Sequence, residues 1–352
     1  MQPQYLIIGQ GIAGTLLSYE FWKQGKPFLL IDEAHYASKA SLVAGAVVNP
    51  VNVNRWTTGK EQEHYIPTAL QTYRELERML GVSLLAEKSM LVFHDDEEKQ
   101  QLCKKAQSSS SMYVCPPTRA DLTLTNRFFT GRHGIGKVAP VWKIHAAQLL
   151  SAWSDFLKSK NLLKEAYFNI DECLISPGGV AFKEIRAEKI IFCEGAKAIH
   201  NPLFNKLPFT KNRGEALLLS VPDLPREYIY QYGIRLVPAA KDLFWCGSNY
   251  QWQFNDVLPD LNWRKRTKAT LSDWLTVPFE VVDHVVAERP TTAGQQFLTG
   301  IHPAMPSVAI FNGLGTKGFS CGPALAKALC TQLTDPRRTG ALISTGLEKW
   351  LK

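Results

Sequence analysis

No apolar run in this chain reaches the ~18 residues that a membrane-spanning helix needs. The first apolar stretch, Tyr5–Ile8, follows an uncharged start and runs straight into glycines, which is not the layout of a secretory leader. Cysteine is scarce and poorly placed for cross-linking. The seven residues (103, 115, 173, 193, 246, 321 and 330) are odd in number and form no Cys-x-x-Cys pair. Reduced, mostly buried thiols in a cytoplasmic protein are expected, not a disulfide frame or a zinc ribbon. The eight histidines form no His-x-x-x-His pattern, so no metal site is expected. Internal repeats are lacking, and the single low-complexity patch is Ser108–Ser111, read as a loop.

What is there is an ordinary globular composition, 45% hydrophobic and 20% charged over 352 residues, enough for about two domains. The net charge of +8 raises the question of a nucleic-acid partner. Much of the excess gathers at Arg264, Lys265, Arg266 and Lys268, in a segment Trp263–Trp274 where Leu271, Trp274 and Leu275 have helical spacing. These cations read as the solvated face of an amphipathic helix, and the charge weighs little toward nucleic acid.

Strands and helices alternate at the start: strand at Tyr5–Ile8, helix at Thr15–Gln24 closed by Gly25, strand at Phe28–Ile31. That β-α-β order requires a parallel pair and predicts a doubly wound α/β sheet. A long helix is predicted at Tyr65–Leu80, ended by Gly81, and another at Ile144–Leu157. The acidic run Asp95–Ala106 reads as helical, and Leu85–Phe93 and Leu122–Val138 as strands and turns. Further strands are expected at Glu188–Cys193, Ala216–Val221, Ile234–Pro238, Leu243–Gly247 and Val308–Phe311, and a final helix around Ala324–Leu333.

Gly9-Gln10-Gly11-Ile12-Ala13-Gly14 fits G-x-G-x-x-G, with an apolar strand before it and a helix after it. Asp32 closes the next strand about 18 residues beyond Gly14. Each part has a mechanical reason: Gly9 for the tight turn, Gly11 for backbone approach to a pyrophosphate, Gly14 for close helix–strand packing. The helix N-terminus offers N–H groups to the phosphates, and Asp32 can accept from both ribose hydroxyls. Near the other end, Asn312–Ser320 carries Gly313, Gly315 and Gly318 in the same pattern, but too little chain follows for another β-α-β unit. This loop is expected to return to the far end of the same cofactor, its helix N-terminus stabilising charge there.

The order of these motifs resembles the D-amino-acid oxidase family of FAD-dependent amine oxidoreductases, which includes glycine and sarcosine oxidases. The resemblance rests on Gly9–Gly14 with Asp32, and on Lys39-Ala40-Ser41 followed by Ala44-Gly45. It extends through Ile190–Ala196, Arg213-Gly214-Glu215, Ala287–Gly294, Ile301-His302-Pro303 and Asn312–Phe319. It implies a Rossmann-type FAD-binding domain (1–84, 140–214 and 287–352) interleaved with a β-rich α+β substrate domain (85–139 and 215–286). Cofactor contacts are implied for Gly9, Gly11, Ile12, Ala13, Gly14, Asp32, Glu33, Ser41, Ala44, Gly45, Gly195, Gly313, Gly315, Thr316, Lys317 and Gly318. FAD is expected to be noncovalent, because no Cys or His stands at the positions, near Glu288, where the sarcosine-oxidase branch attaches it. Ser320 stands where that branch has a lysine implicated in oxygen reactivity, so the acceptor, O2 or another, is left open.

The implied activity is oxidation of the C–N bond of a small amine or amino acid, by hydride transfer to flavin N5 and hydrolysis of the imine. A carboxylate substrate calls for a forked donor, and Arg289 in the Arg-Pro stretch is the first candidate. Tyr250 and Lys317 complete the catalytic set, with Tyr232 and Arg55 as weaker candidates in the substrate region and the loop Asn49–Trp56. Lone His284 and His302 read as structural. Two other readings stay open: a tRNA wobble-uridine-modifying flavin oxidase, and a flavin-binding interaction protein without turnover. Oligomeric state is left open as well.

Overall fold

The computed structural model describes residues 2–33, 40–109, 111–131, 133–240, 242–335 and 347–351, with Lys39 of the Lys39-Ala40-Ser41 motif outside them. Strand Tyr5–Ile8 pairs in parallel with Phe28–Asp32 on one side and Lys189–Phe192 on the other. All four of its residues are buried, as a central parallel strand covered on both faces requires. The full sheet has six strands, ordered Leu298–His302, Met305–Asn312, Lys189–Phe192, Tyr5–Ile8, Phe28–Asp32, Leu163–Glu165. Its edge pair Leu298–His302 and Met305–Asn312 is antiparallel.

Tyr5 and Ile7 face a core shared with helices Ile12–Lys23, Lys60–Leu80, Ala146–Ser159 and Gly318–Thr334, through Leu16, Tyr73, Trp153 and Leu325. Leu6 and Ile8 face the opposite way, against Val180, Phe182 and Ile185 of a small antiparallel layer built from Cys173–Ser176, Gly179–Phe182 and Ile185–Ala187. The period-two alternation of one strand therefore sets both covering layers.

A second, nine-stranded sheet runs Glu280–Thr292, Phe209–Ser220, Leu243–Gly247, Ile234–Pro238, Tyr228–Tyr232, Leu85–Phe93, Ile135–Ile144, Val47–Val48, with Val114–Cys115 beside Ile135–Ile144. It is antiparallel except where Tyr228–Tyr232 meets Leu85–Phe93. On one face Leu217, Leu219, Tyr230, Leu236, Phe244 and Cys246 pack against helices Arg119–Phe128 and Leu261–Trp274. The residues between them, Ala216, Gln231, Arg235, Trp245 and Gly247, line a cavity on the other face. Helix Leu261–Trp274 buries Trp263, Thr267, Leu271 and Trp274, one stripe at helical spacing. Its cations Arg264–Lys268 thus belong to a helix that covers the sheet face away from the cavity.

Three sequence expectations need correction. Arg119–Phe128 is a helix, not part of a strand: Thr118 and Asp121 form a capping box, and buried Asp121, Thr125 and Phe128 lie at i, i+4 and i+7. Its threonines suggested a strand, but the cap outweighs their propensity. Ile144 ends a strand, and the next helix begins at Ala146. The C-terminal helix starts six residues earlier than expected, at Gly318, and runs through Pro323. Proline there cannot donate to the Phe319 carbonyl four residues back, and the Tyr73 hydroxyl donates to that carbonyl instead, at 2.9 Å.

Strands Ile135–Ile144, Phe209–Ser220 and Glu280–Thr292 each run unbroken across one of the points (139/140, 214/215 and 286/287) at which the sequence reading divides the chain. Among the described residues no helix is long and apolar enough to cross a membrane, and no group of His, Cys, Asp and Glu could hold a metal ion.

Candidate active site

A cavity of about 1120 Å³ opens between the C-terminal ends of the first sheet's central strands and the Gln231–Arg235 face of the second. Pockets for drug-sized ligands run ~300–1,000 Å³, so this one is at the upper end of the scale, as a site for a dinucleotide together with a small substrate would be.

The glycine loop forms one end. Gly9 has φ +100°, and a Cβ there would stand 2.6 Å from the Cys193 carbonyl oxygen. A Cβ on Gly14 would stand 1.8 Å from the Gly9 carbonyl oxygen, so helix Ile12–Lys23 can abut the strand only through glycine. Gly14 therefore sets the packing, while Gly9, Gly11, Ile12 and Ala13 line the cavity. The Ile12 N–H donates to Ser41 Oγ at 3.0 Å, which ties the short helix Ala40–Val43 to the glycine loop. Asp32 accepts from the Gln10 N–H at 2.8 Å and lines the same end with Glu33, whose carboxylate pairs with Lys197 at 2.9 Å. Backbone exposed at two glycines, a helix N-terminus and a carboxylate at the end of the second strand are the donor and acceptor set that a dinucleotide requires. The residues fit that group.

The C-terminal glycine loop closes the middle. Gly313 and Gly315 adopt φ +70° and +51°, letting the chain turn from strand Met305–Asn312 into helix Gly318–Thr334. Asn312 donates to the Gly195 carbonyl at 2.9 Å and accepts from the Gly313 N–H at 2.8 Å, which clamps this loop to the turn after Lys189–Phe192. Gly195, Gly315, Thr316 and Gly318 line the cavity. Gly313 is buried behind it. Lys317 is exposed and does not line it.

The loop Ala44-Gly45 is tied to the second sheet from two sides. Trp245 Nε1 donates to the Val43 carbonyl at 2.8 Å, and Lys143 Nζ donates to the Gly45 carbonyl at 2.9 Å. Burial pushes the Lys143 ammonium down to about 8.

At the other end, Arg289 Nη1 donates to Asn212 Oδ1 at 2.5 Å and to the Asn249 carbonyl at 3.0 Å. Its guanidinium lies over Gly214, where a Cβ would come within 1.9 Å of Nη2. The Tyr250 ring sits beside it, centroid 4.8 Å from Cζ, half-exposed at the cavity wall. Burial lowers the Arg289 pKa, and the nearby Tyr250 opposes that shift. Glu194 and Glu288 also line the cavity, and burial holds both carboxyls above their usual range.

The remaining candidates lie elsewhere. Tyr232 faces the helix side of its sheet, 5.6 Å from Trp274 ring to ring, because it is out of phase with Gln231 and Gly233. Arg55 is exposed and lines nothing, whereas its neighbour Trp56 is buried against the cavity. His284 Nε2 lies 2.9 Å from the buried Glu215 carboxylate, and His302 Nδ1 accepts from the Ala304 N–H. Neither lines the cavity. Sequence reasoning missed Arg235, Trp245 and Lys143. The first two carry a readable signal: Gln231, Gly233 and Arg235 alternate with Tyr230, Tyr232 and Ile234, and Trp245 and Gly247 with Phe244 and Cys246.

Comparison with known proteins agrees with this layout. The profile of the FAD dependent oxidoreductase family (DAO) matches residues 4–332. Glycine oxidase from Geobacillus kaustophilus superposes with a TM-score of 0.79 at 17% identity, covering 100% of this chain and 98% of the other. Iminodiacetate oxidase from Chelativorans sp. BNC1 gives 0.76 at 17% identity, covering 94% and 95%. The FAD-bound L-α-glycerophosphate oxidase from Mycoplasma pneumoniae gives 0.72 at 14% identity, covering 95% of each chain. At such identities the likeness is one of fold, and the family follows from the profile over nearly the whole sequence: the chain belongs to the DAO family of FAD-dependent oxidoreductases.

Proposed function

We propose that this enzyme oxidises the C–N bond of a small amine or amino acid bearing a carboxylate. The observation that carries the reading is Arg289, a guanidinium held over Gly214 by Asn212 and the Asn249 carbonyl, in the same cavity as the glycine loop. Noncovalent FAD supplies a two-electron acceptor, so an amine bound there leaves as an imine that water hydrolyses.

The chain's own residues do the positioning. The glycine loop and the N-terminus of helix Ile12–Lys23 hold the phosphates, and Asp32 and Glu33 hold the adjoining sugar. Ser41, Ala44, Gly45 and Gly195 line the path, and Gly315, Thr316 and Gly318 bring the N-terminus of helix Gly318–Thr334 to the far end, where it favours negative charge. Arg289 grips the substrate carboxylate through the N–H groups it has not spent, and Tyr250 flanks it. No dedicated base is needed if the amine binds neutral. Oriented binding in this frame supplies the rate enhancement available to a protein that leaves the hard step to its cofactor.

Asp32→Ala tests the sugar assignment. FAD affinity is expected to fall about 10- to 100-fold, because a charge-assisted bond is lost and the Gln10 N–H loses its acceptor. Fluorescence titration of the apoprotein measures this, and an unchanged dissociation constant contradicts the assignment. The chemistry itself is tested by product analysis. Equimolar carbonyl compound and released ammonia or amine are expected; oxidation of glycerol phosphate with no nitrogen released contradicts the reading. The tRNA alternative draws no support from the positive charge, since Arg264–Lys268 lie on the helix behind the sheet.

A further inference from the structure

The cavity holds a second arginine that the proposed reaction has not used. Arg235 stands on strand Ile234–Pro238, opposite Gly247, and Gly247 stands opposite Ala216. Arg289 lies over Gly214, on the same strand as Ala216 and facing the same way. Gly214, Ala216 and Gly247 thus form a floor nearly without side chains, and an arginine rises on either side of it. With strands ~4.8 Å apart and residues ~3.4 Å apart along each, the backbone of Arg235 and that of Gly214, over which the Arg289 guanidinium lies, are separated by about 12 Å. Arg235, Arg289 and Tyr250 all line this one cavity.

Neither guanidinium is neutralised by the protein. Arg235 spends Nε on Gln231 Oε1, at 2.7 Å, and among the described residues neither Nη group has a protein acceptor. Arg289 spends only Nη1, and on neutral acceptors. Arg213, one strand position away, shows what a structural arginine looks like in this fold. It lies 3.3 Å from the Glu215 carboxylate and 3.2 Å from that of Asp256, and donates at 2.6 Å to Gln251. A desolvated cation without a counter-charge is costly unless a ligand brings the anion. One substrate carboxylate accounts for Arg289 and leaves Arg235 unmatched.

We infer that the substrate is a dicarboxylic amine, an amino or imino diacid, with Arg289 receiving one carboxylate and Arg235 the other across the glycine floor. This rests on the amine-oxidising reading above. Arg235 is accordingly the residue that sets specificity between mono- and diacids.

The test uses the FAD-loaded protein and acids that cannot be oxidised at nitrogen. Calorimetric titration is expected to give glutarate or succinate an affinity at least about 10-fold above that of butyrate, the effect of one additional charge-assisted pair. In Arg235→Met that advantage is expected to vanish, and in Arg235→Lys to survive in part, because a point charge replaces a fork. The visible absorbance of bound FAD reports that each variant is folded. Equal affinity for diacid and monoacid in the unmodified protein overturns the inference without any variant, and would mean that both arginines clasp a single carboxylate or that Arg235 binds none. A Met variant that keeps the preference overturns it as well, and so does failure of the diacids to bind at millimolar concentration. If diacids are preferred but no amine is oxidised, the amine reading fails and the two-anion pocket stands. If amines are oxidised without regard to a second carboxylate, only the present inference fails.

Discussion

Arg289→Met is expected to keep its FAD and its fold while losing between about 30-fold and several thousand-fold of kcat/KM on carboxylate-bearing amines. The range follows from removing one member of a desolvated charge pair, a loss of ~2–5 kcal/mol. Arg289→Lys should recover part of this, since an ammonium supplies charge but not two parallel donors. A companion variant leaves the arginine in place. In Gly214→Ala the new methyl would lie 1.9 Å from Arg289 Nη2, so the guanidinium must move out of its seat. The same kinetic defect is expected from both variants, with KM rising more than kcat falls if the arginine mainly binds. Steady-state kinetics on FAD-replete protein decides it. A Gly214→Ala enzyme with unaltered kinetics would move the carboxylate anchor away from Arg289.

Gly14→Ala is expected to abolish FAD retention and to cost at least ~3 kcal/mol of stability, at the severe end of overpacking. Its Cβ would be 1.8 Å from the Gly9 carbonyl oxygen, and the obstacle is backbone that cannot rotate away. Helix Ile12–Lys23 must then lift from the strand, which dismantles the glycine loop that faces the cavity. Gly25→Ala is the matched control. Gly25 has φ +64° but open space around its Cβ position, so the change should cost only ~1 kcal/mol of backbone strain and leave FAD bound. The ratio of flavin to protein absorbance after desalting, with a thermal melt of each variant, separates the two.

The parts of this molecule legible from sequence are those whose signal is local. The strand Tyr5–Ile8, the glycines after it and Asp32 announce themselves because turn, helix start and acid must follow at fixed spacing. Gly25 and Gly81, both left-handed in the structure, mark helix ends for the same reason. Less legible were features set by tertiary partners. The helix Arg119–Phe128 depends on a capping box that its threonines disguise, and the helix from Gly318 passes through Pro323 because Tyr73, far away in the chain, occupies the orphaned carbonyl. The cavity wall was harder still. Arg289 belongs to a motif, but Arg235 and Trp245 are marked only by the alternation along their strands, which shows which residues share a face and not that this face meets the cavity. Lys317 and Tyr232 illustrate the converse: each is near the site in sequence, and each is turned away from the cavity by a single residue of register.

In the proposed complex one cavity holds FAD at the glycine loop and a carboxylate-bearing amine at Arg289. Anaerobic titration of the purified, FAD-loaded protein with a panel of amino and imino acids tests it most directly, followed by the visible flavin absorbance. Bleaching by at least one carboxylate-bearing amine, and not by the same amine after Arg289→Met, is the result predicted. A protein that takes up no FAD, or whose bound FAD is bleached by no amine in the panel, would contradict it.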